Sequence, residues 1–543
     1  MTRSNSVDGG SNFLGEVAQR SLSRRSLLRW GALAGAGAVL APAVTACVGP
    51  SAPNGGGGAT GTSTLTLGLN RSLVSLDNKL NQFDAAVTVQ RAVRQALTEI
   101  GDDLKPRNVL AESFELTGPT QWTVKLRNDI KYSDGTRVAV EDVAKALEMY
   151  SQVNGSFLAP QFPEWPTVTK KDELTFTLDT KAPLPVLNTL MSNILITPAA
   201  ANKPEELQEG VGTGPYKVAS ADRGTGTYKL VVNENYWGDK PKVSEVNVRF
   251  MSEESSRVVA LRSGEVDVID SITPDSVAQL KSVDGITIES VTGTRYNQLF
   301  YNFRKPADSP MSDPKVREAL SYGFDSKSVV EGILGGTVTS AKGVVPQTLA
   351  GAVETGEYKY DPAKAKSMLA DLGVSNLKVK VIWETGEFAG DVSIMEALVE
   401  MMKQIGVTAE LQQFQPGGDI STWRQGKAGD WDILGNGYGN QTGLALTNLQ
   451  GMYAGTAEKE ATRDTYHGFV FPEISSQIIT ATSETDQAKS TQLLTQVQKD
   501  IWAKWPCMWA FIPNAVLARR TRVEGIKLRP INSYQLSTVS VNG

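Results

Sequence analysis

Histidine and cysteine are scarce in this 543-residue sequence, which holds one histidine, His467, and two cysteines, Cys47 and Cys507. A disulfide framework needs several cysteines, so the sequence predicts none. Metal sites built from several His or Cys ligands are excluded for the same reason, and one histidine leaves little basis for a Ser-His-Asp triad. We therefore predict no metal and no cofactor, and we interpret His467 as a surface or packing residue.

The sequence also lacks a strong excess of charge of either sign. It has 54 Lys and Arg against 59 Asp and Glu, a net charge of -5. Nucleic acids and anionic membrane surfaces attract proteins with an excess of basic residues. This balance gives no electrostatic reason to expect either partner.

The N-terminal apolar run is too short to span a bilayer. It begins at Trp30 and is interrupted at Pro42 after about a dozen residues, whereas a spanning helix needs roughly 20. Residues 1–46 therefore read as a signal peptide. The preceding segment "SRRSLLRW", with the pair Arg24 and Arg25, resembles a twin-arginine export signal of bacteria.

A lipid attachment site is predicted at the end of this signal. "VTAC" (44–47) resembles a lipobox, in which the cysteine, here Cys47, receives a diacylglyceryl group. Two or more acyl chains anchor a protein stably where one is marginal. Residues 47–63 are rich in Gly, Ser and Thr and read as a flexible tether. We expect the protein to be held at the extracytoplasmic face of the cytoplasmic membrane.

Beyond residue 64 the pattern alternates between strands and helices. "TLTLGLN" (64–70) has the period of a strand and "VEDVAKALEMY" (140–150) that of a helix. A helix capped by Ser252 is predicted to stop near Gly264, and another begins at Asp361-Pro362 and stops at Gly373. These alternations predict an α/β fold.

Motifs that would indicate an enzyme are missing or misleading. "GNGYG" (435–439) lacks the G-x-G-x-x-G spacing, and we interpret it as a loop near a strand end. "SDPK" (312–315) has S-x-x-K spacing, but Asp313-Pro314 is typical of a helix start. We predict that the protein is not an enzyme.

An ordered set of segments resembles the dipeptide/oligopeptide-type extracytoplasmic solute-binding proteins of ABC importers, family 5. These segments run from about residue 64 to the C-terminus: "LAESFE" (110–115), "WTVKLRNDIKYSDGTRVAVEDV" (122–143), "GTGPYKV" (212–218), "NENYWGDKPKVSEVNVRF" (233–250), "ALRSGEVDVI" (260–269), "YNQLFYNF" (296–303), "MSDPKVREALSYGFD" (311–325) and "YDPAKAKSMLADLG" (360–373). Single motifs such as "GTGPY" are weak, whereas the ordered set is specific.

The resemblance implies a two-lobed, periplasmic-binding-protein-like fold with an inserted subdomain and a hinge of two chain crossings. We place lobe I at 64–101, 213–294 and 514–543, the insertion at 102–212, and lobe II at 295–513. It also implies a monomer that passes a peptide or another small polar solute to a membrane permease.

The predicted ligand segment departs from the peptide-binding pattern. In peptide-binding relatives it carries an acid that pairs with the ligand's terminal amine, but "DWDILGNGYGNQTGLALTN" (430–448) has no acid after Asp432. Tyr438, Asn440 and Gln441 stand in its place and suit amide- or hydroxyl-rich ligands. A free peptide N-terminus therefore becomes less favoured as the recognised group, since burying an unpaired ammonium is costly.

Trp383, at the end of "VKVIW", together with Tyr296 and Asn302, completes the predicted ligand site. Aromatic rings beside amides also suit sugars, so an oligosaccharide receptor of the same family stays open. A secreted hydrolase that uses a carboxylate pair is the alternative from another class.

Overall fold

The computed structural model describes residues 63–71, 76, 84–153, 158, 161–162, 164–200, 210–222, 224–416, 418–463 and 465–542. The predicted signal peptide with Arg24 and Arg25, the predicted lipidation site Cys47 and nearly all of the predicted tether lie outside the described residues. In the described part of the chain, no helix is both long enough and apolar enough to cross a membrane.

The described strands, in chain order, are β1 Thr64–Leu69, β2 Thr98–Ile100, β3 Pro106–Asn108, β4 Ala111–Gly118, β5 Gln121–Leu126, β6 Thr167–Lys170, β7 Thr175–Asp179, β8 Tyr216–Asp222, β9 Thr227–Val232, β10 Glu245–Phe250, β11 Val268–Asp270, β12 Ile286–Thr292, β13 Tyr296–Tyr301, β14 Val338–Ser340, β15 Lys378–Glu384, β16 Thr408–Phe414, β17 Ile433–Tyr438, β18 Cys507–Arg520, β19 Val523–Glu524 and β20 Ser540–Val541.

The described helices are α1 Asp84–Val93, α2 Val140–Ser151, α3 Leu187–Leu190, α4 Glu254–Ser263, α5 Pro274–Leu280, α6 Pro314–Tyr322, α7 Ser326–Ser328, α8 Pro362–Asp371, α9 Asp391–Gln404, α10 Ile420–Arg424, α11 Ala445–Tyr453, α12 Ala457–Ala461, α13 Pro472–Ser483 and α14 Gln487–Trp502. A π-helical turn, Val329–Ile333, follows α7.

Local capping explains where several helices begin. The Asp361 side chain accepts from the Lys364 amide ahead of α8, and the Asp313 side chain accepts from the Lys315 amide ahead of α6, as the sequence predicts. The predicted Ser252 cap of α4 is wrong. Glu253 is the N-cap residue, and the Ser252 carbonyl accepts from Arg257 instead.

The largest sheet is built from two groups of strands that share β18. The N-terminal half of β18 pairs with β13 and β14, and the C-terminal half pairs with β11 and β12. The strand order is β16-β15-β17-β13-β18-β11-β1-β10-β9-β8. One strand therefore belongs to both lobes.

Three regions of the described chain bury separate apolar cores. Lobe II buries one between residues 296 and 512, and a four-stranded sheet, β4-β5-β7-β6, covers another between residues 97 and 196. The lobe I sheet is buried on both faces, because neighbouring residues of β11, Val268 and Ile269, enter different clusters. The fold is α/β and two-lobed, with an inserted subdomain and a hinge, as the sequence predicts.

The interpretation of "GNGYG" as a loop is partly wrong. Gly435 to Tyr438 lie within β17 and pair with β13. The glycines are there because of close packing: a Cβ added at Gly435 would stand 2.4 Å from the Met395 methyl carbon, and one at Gly437 would stand 2.3 Å from the Asn297 amide oxygen.

Candidate functional site

Two short crossings join the lobes and touch one another. The first, 293–295, links β12 to β13, and the second passes through Pro513 inside β18. The Gly293 amide donates to the Pro513 carbonyl over 3.0 Å, and the Thr294 amide donates to the Pro530 carbonyl over 3.1 Å. The crossings therefore lie side by side, which is the arrangement of a hinge.

A cavity of about 80 Å³ opens beside these crossings, and we call it the interlobe cavity. Both crossings, a loop that follows β17 and a segment near the C-terminus contribute to its wall. The described lining residues are Gly293, Thr294, Arg295, Gly439, Asn440, Gln441, Pro513, Asn514, Ala515, Pro530, Ile531 and Asn532. The wall is mostly amides and main chain.

Asn440 is buried at this wall, and its amide is used to shape the loop. Its Nδ2 donates to the Leu444 carbonyl over 2.8 Å and to the Asn448 side-chain oxygen, while its Oδ1 accepts from the Gly443 amide over 2.8 Å. Its carbonyl accepts from the Thr294 hydroxyl over 2.7 Å. Asn440 therefore ties the loop to the first crossing and holds the neighbouring Gln441 in the wall.

Arg295 is the charged residue among the described lining residues. Its Nε donates to Asn297 Oδ1 over 2.9 Å, and its Nη2 is paired with Glu387. Glu387 also accepts from the Gly437 amide over 3.0 Å, so the pair links the first crossing to β17. The arginine remains about one-third exposed.

Tyr438 ends β17 next to the loop, with its ring against lobe II. The Tyr438 hydroxyl packs closely on Gly451, where an added Cβ would be only 1.8 Å from it. The ring centroid of Tyr438 is 5.7 Å from that of Tyr466. Burial raises the pKa of Tyr438 above its ordinary value. Tyr438 is not among the described lining residues of the interlobe cavity, whereas the next residue, Gly439, is.

The other predicted ligand residues lie deeper in lobe II. Trp383 is buried, and its indole Nε1 has no hydrogen-bond partner among the described residues. Tyr296 is buried and donates to the Gly343 carbonyl. Asn302 follows the far end of β13, where its Nδ2 donates to the Trp431 carbonyl over 2.8 Å.

The structure therefore brings some predicted residues together and separates others. Asn440 and Gln441 share the interlobe cavity, and Tyr296 pairs with Tyr438 across β13 and β17. Asn302 lies six residues along from Tyr296, roughly 20 Å away at the strand rise of about 3.3 Å per residue.

Sequence reasoning missed Arg295 and Glu387. The signal available for Arg295 was its position in a three-residue connection between strands of different lobes. Glu387 is 92 positions away, in the turn after β15, and only the fold brings it to the arginine.

Among the described residues, His467 does not form a metal site with Asp, Glu or Cys side chains. No group of three or more His, Cys, Asp or Glu side chains in the described part of the chain is arranged to hold a metal ion. His467 is buried against the ring of Phe300, with the centroids 4.7 Å apart, so it packs inside lobe II.

Comparison with known proteins agrees with this architecture. Residues 105–460 match the family described as bacterial extracellular solute-binding proteins, family 5 Middle. The chain is 23% identical over 465 residues to the glutathione-binding protein GsiB of Pectobacterium atrosepticum, covering 83% of this chain and 90% of that protein. The GsiB of Escherichia coli O157:H7 is 25% identical over 472 residues, covering 84% and 91%.

Solved structures share the fold at low identity. The ABC transporter substrate binding protein CtaP of Listeria monocytogenes superposes with a TM-score of 0.76 at 19% identity, covering 88% of this chain and 99% of that one. A dipeptide binding protein of Pseudoalteromonas in complex with Met-Leu gives 0.76 at 16% identity, covering 88% and 100%. The chain therefore belongs to family 5 of the bacterial extracellular solute-binding proteins, which deliver peptides or similar solutes to ABC importers.

Proposed function

We propose that this protein captures a peptide or a similarly sized polar solute in the interlobe cavity and delivers it, as a monomer, to the membrane permease of an ABC importer. The observation that carries this proposal is the wall of that cavity, to which both crossings and both lobes contribute. A ligand that contacts both lobes favours the closed arrangement, because it binds that arrangement more tightly than the open one.

The chemistry of the wall supports a solute with an anionic group. Arg295, which is paired with Glu387 and about one-third exposed, lines the cavity, while Gln441, Asn514 and Asn532 supply neutral amides. Asn440, one of the three residues predicted to take the place of the acid of peptide-binding proteins, has its amide bonded within the loop. The curated relatives GsiB are named as glutathione-binding, and glutathione is a peptide with two carboxylates. An acidic peptide is thus the solute we propose.

A binding panel tests this proposal. Purified protein is titrated with glutathione, a neutral tripeptide and an oligosaccharide, and binding is followed by tryptophan fluorescence and by the melting temperature. We expect glutathione or a similar acidic peptide to bind. Arg295→Gln should weaken that binding by roughly 10- to 100-fold, because a hydrogen bond to a charged group contributes about 1.5–3 kcal/mol.

Tyr360→Ala is the matched control, because Tyr360 is exposed in lobe II and bonds Gln404 away from the interlobe cavity. This variant should keep the wild-type affinity. Binding of the oligosaccharide alone, unchanged by Arg295→Gln, would favour the sugar receptor. Turnover of a panel member that one Asp or Glu substitution abolishes would favour the hydrolase.

The site of action is proposed from the sequence of residues 1–47. Cys47→Ser should release the exported protein from the membrane, because the lipid is attached at that sulfur. Arg24→Lys combined with Arg25→Lys should block export through the twin-arginine route. Fractionation of cells that express each variant measures both effects, and an unchanged distribution in both variants would contradict the lipid-anchored, twin-arginine proposal.

A further inference from the structure

A second cavity, of about 60 Å³, lies in lobe I, and we call it the lobe I cavity. Helix α1, strand β2 and the C-terminal segment 529–537 contribute most of its wall, and it shares no described lining residue with the interlobe cavity. Neither the predicted ligand site nor the proposed function uses it.

Positive charge predominates on this wall. Three guanidinium groups line it, those of Arg91, Arg94 and Arg529, against one carboxylate, that of Glu99. Arg94 and Arg529 are buried and Arg91 is half-buried. Buried charges are costly unless opposite charge or hydrogen bonds compensate them.

The three guanidinium groups differ in their partners. Arg529 Nε donates to Asp102 over 2.9 Å, and its Nη1 lies 3.7 Å from Glu99. Arg94 Nη1 donates to the Leu76 carbonyl over 3.1 Å. Arg91 donates to a neutral acceptor, Asn193 Oδ1, over 3.3 Å. Burial lowers the pKa of Arg91, an effect that Glu99 opposes and Arg529 reinforces.

A hydroxyl group in the same wall points to a ligand independently. Ser533 is 2% exposed, and its Oγ has no hydrogen-bond partner among the described residues. Leaving a buried hydroxyl unpaired is unfavourable, because the group loses its hydrogen bonds to water. A hydroxyl next to guanidinium groups is a suitable donor for an oxyanion.

We propose that the lobe I cavity binds the carboxylate or phosphate group of a small solute, with Arg91, Arg529 and Ser533 as donors. The anion gives Arg91 a charged acceptor in addition to the neutral Asn193 and accepts a hydrogen bond from the Ser533 hydroxyl. This site is separate from the one proposed for the transported solute and does not depend on it.

Heat unfolding and calorimetric titration of the purified protein test the proposal. The probes are sodium phosphate and sodium succinate, each compared with sodium chloride at equal ionic strength. We expect at least one of the two anions to raise the melting temperature and to bind saturably, and the anion that does so identifies the group that is recognised.

Three variants separate a binding site from a structural cluster. Arg91→Gln and Ser533→Ala should each weaken anion binding by about tenfold or more, since each removes a hydrogen bond to a charged group. Ser533→Ala removes a buried hydroxyl that is unpaired in the anion-free protein, so without anion the variant should be at least as stable as the wild type. Arg249→Gln is the matched control, because its exposed pair with Glu265 lies outside the cavity.

Two outcomes would overturn the proposal. One is the absence of saturable binding by either anion. The other is binding that persists in Arg91→Gln and Ser533→Ala but disappears in Arg295→Gln, because this pattern places the anion in the interlobe cavity.

Discussion

At the scale of single residues, His467 shows what burial does to an imidazole. It is fully buried, with rings of Phe300, Phe303 and Phe469 within 4.7–5.8 Å between centroids. This burial, with Arg304 nearby, lowers the pKa of His467 to about 3. The imidazole is therefore neutral in the folded protein at all ordinary pH values.

This lowered pKa predicts a stability that depends on pH. The unfolded chain takes up a proton on His467 below about pH 6.5, whereas the folded chain resists it down to about pH 3. The contribution of the neutral His467 to the free energy of unfolding is therefore fully present above pH 6.5. It decreases as pH falls toward 3, by up to about 1.4 kcal/mol per pH unit. Urea unfolding between pH 7 and pH 4 measures this slope.

His467→Leu provides the comparison, because leucine has no titrating group. The variant should lack this component of the slope. Equal slopes in the two proteins would show that His467 is not responsible.

Residue-level predictions from sequence succeed where the partner is local. Asp313 and Asp361 cap helices through amides two or three positions away, so the local sequence is enough to predict these caps. The pair of Arg295 and Glu387 spans 92 positions, and no local pattern announces it. For the same reason the sequence predicted only that His467 is a surface or packing residue, and not which side chains surround it.

At the scale of elements, β17 and the loop after it carry three of the six predicted ligand residues, Tyr438, Asn440 and Gln441. Sequence reasoning identified the segment but not its conformation, because glycine is a weak strand former and only tertiary packing requires Gly435 and Gly437 there. The two amide side chains predicted to contact a ligand have different environments. The Asn440 amide is bonded within the loop, and Gln441 lines the interlobe cavity.

The hydrogen bonds of this loop predict that an acid at position 440 lowers stability. In Asn440→Asp, the carboxylate can still accept from the Gly443 amide, but it cannot donate to the Leu444 carbonyl or to Asn448. We expect a loss of about 1–3 kcal/mol in the free energy of unfolding, measured in urea at pH 7.

Asn376→Asp is the matched control, because Asn376 is exposed in the turn after α8. It should change stability by less than about 0.5 kcal/mol. If Asn440→Asp is as stable as this control, the Asn440 amide does not hold the loop.

At the scale of the whole molecule, the ordered motifs predicted the two lobes, the insertion and the hinge, and the fold confirms them. The residue boundaries we gave to the lobes stay predictions. The motifs placed the lobe boundary at residue 513 but did not predict that one strand, β18, runs through this boundary and serves both halves of the sheet. The 14 residues of β18 include Pro513, and the strand continues past it.

The contact between the crossings predicts that Gly293 is intolerant of any side chain. A Cβ there would stand 2.6 Å from the Pro513 carbonyl oxygen, which is main chain and cannot rotate away. Gly293→Ala should therefore lower the free energy of unfolding by about 1–3 kcal/mol, measured in urea. Gly332→Ala, where an added Cβ meets nothing within 4 Å, is the control and should be neutral or slightly stabilising.

The composition of the lobe I core has a consequence for biosynthesis. Leu65 and Leu67 of the first described strand pack in one cluster with Leu517, Leu536 and Val539 near the end of the chain. Because synthesis runs from the N-terminus, these partners are made after every strand segment of lobe II, so the lobe I core stays incomplete until residues 517–539 have been made. The lobe that the chain enters first is therefore the one whose core is completed last.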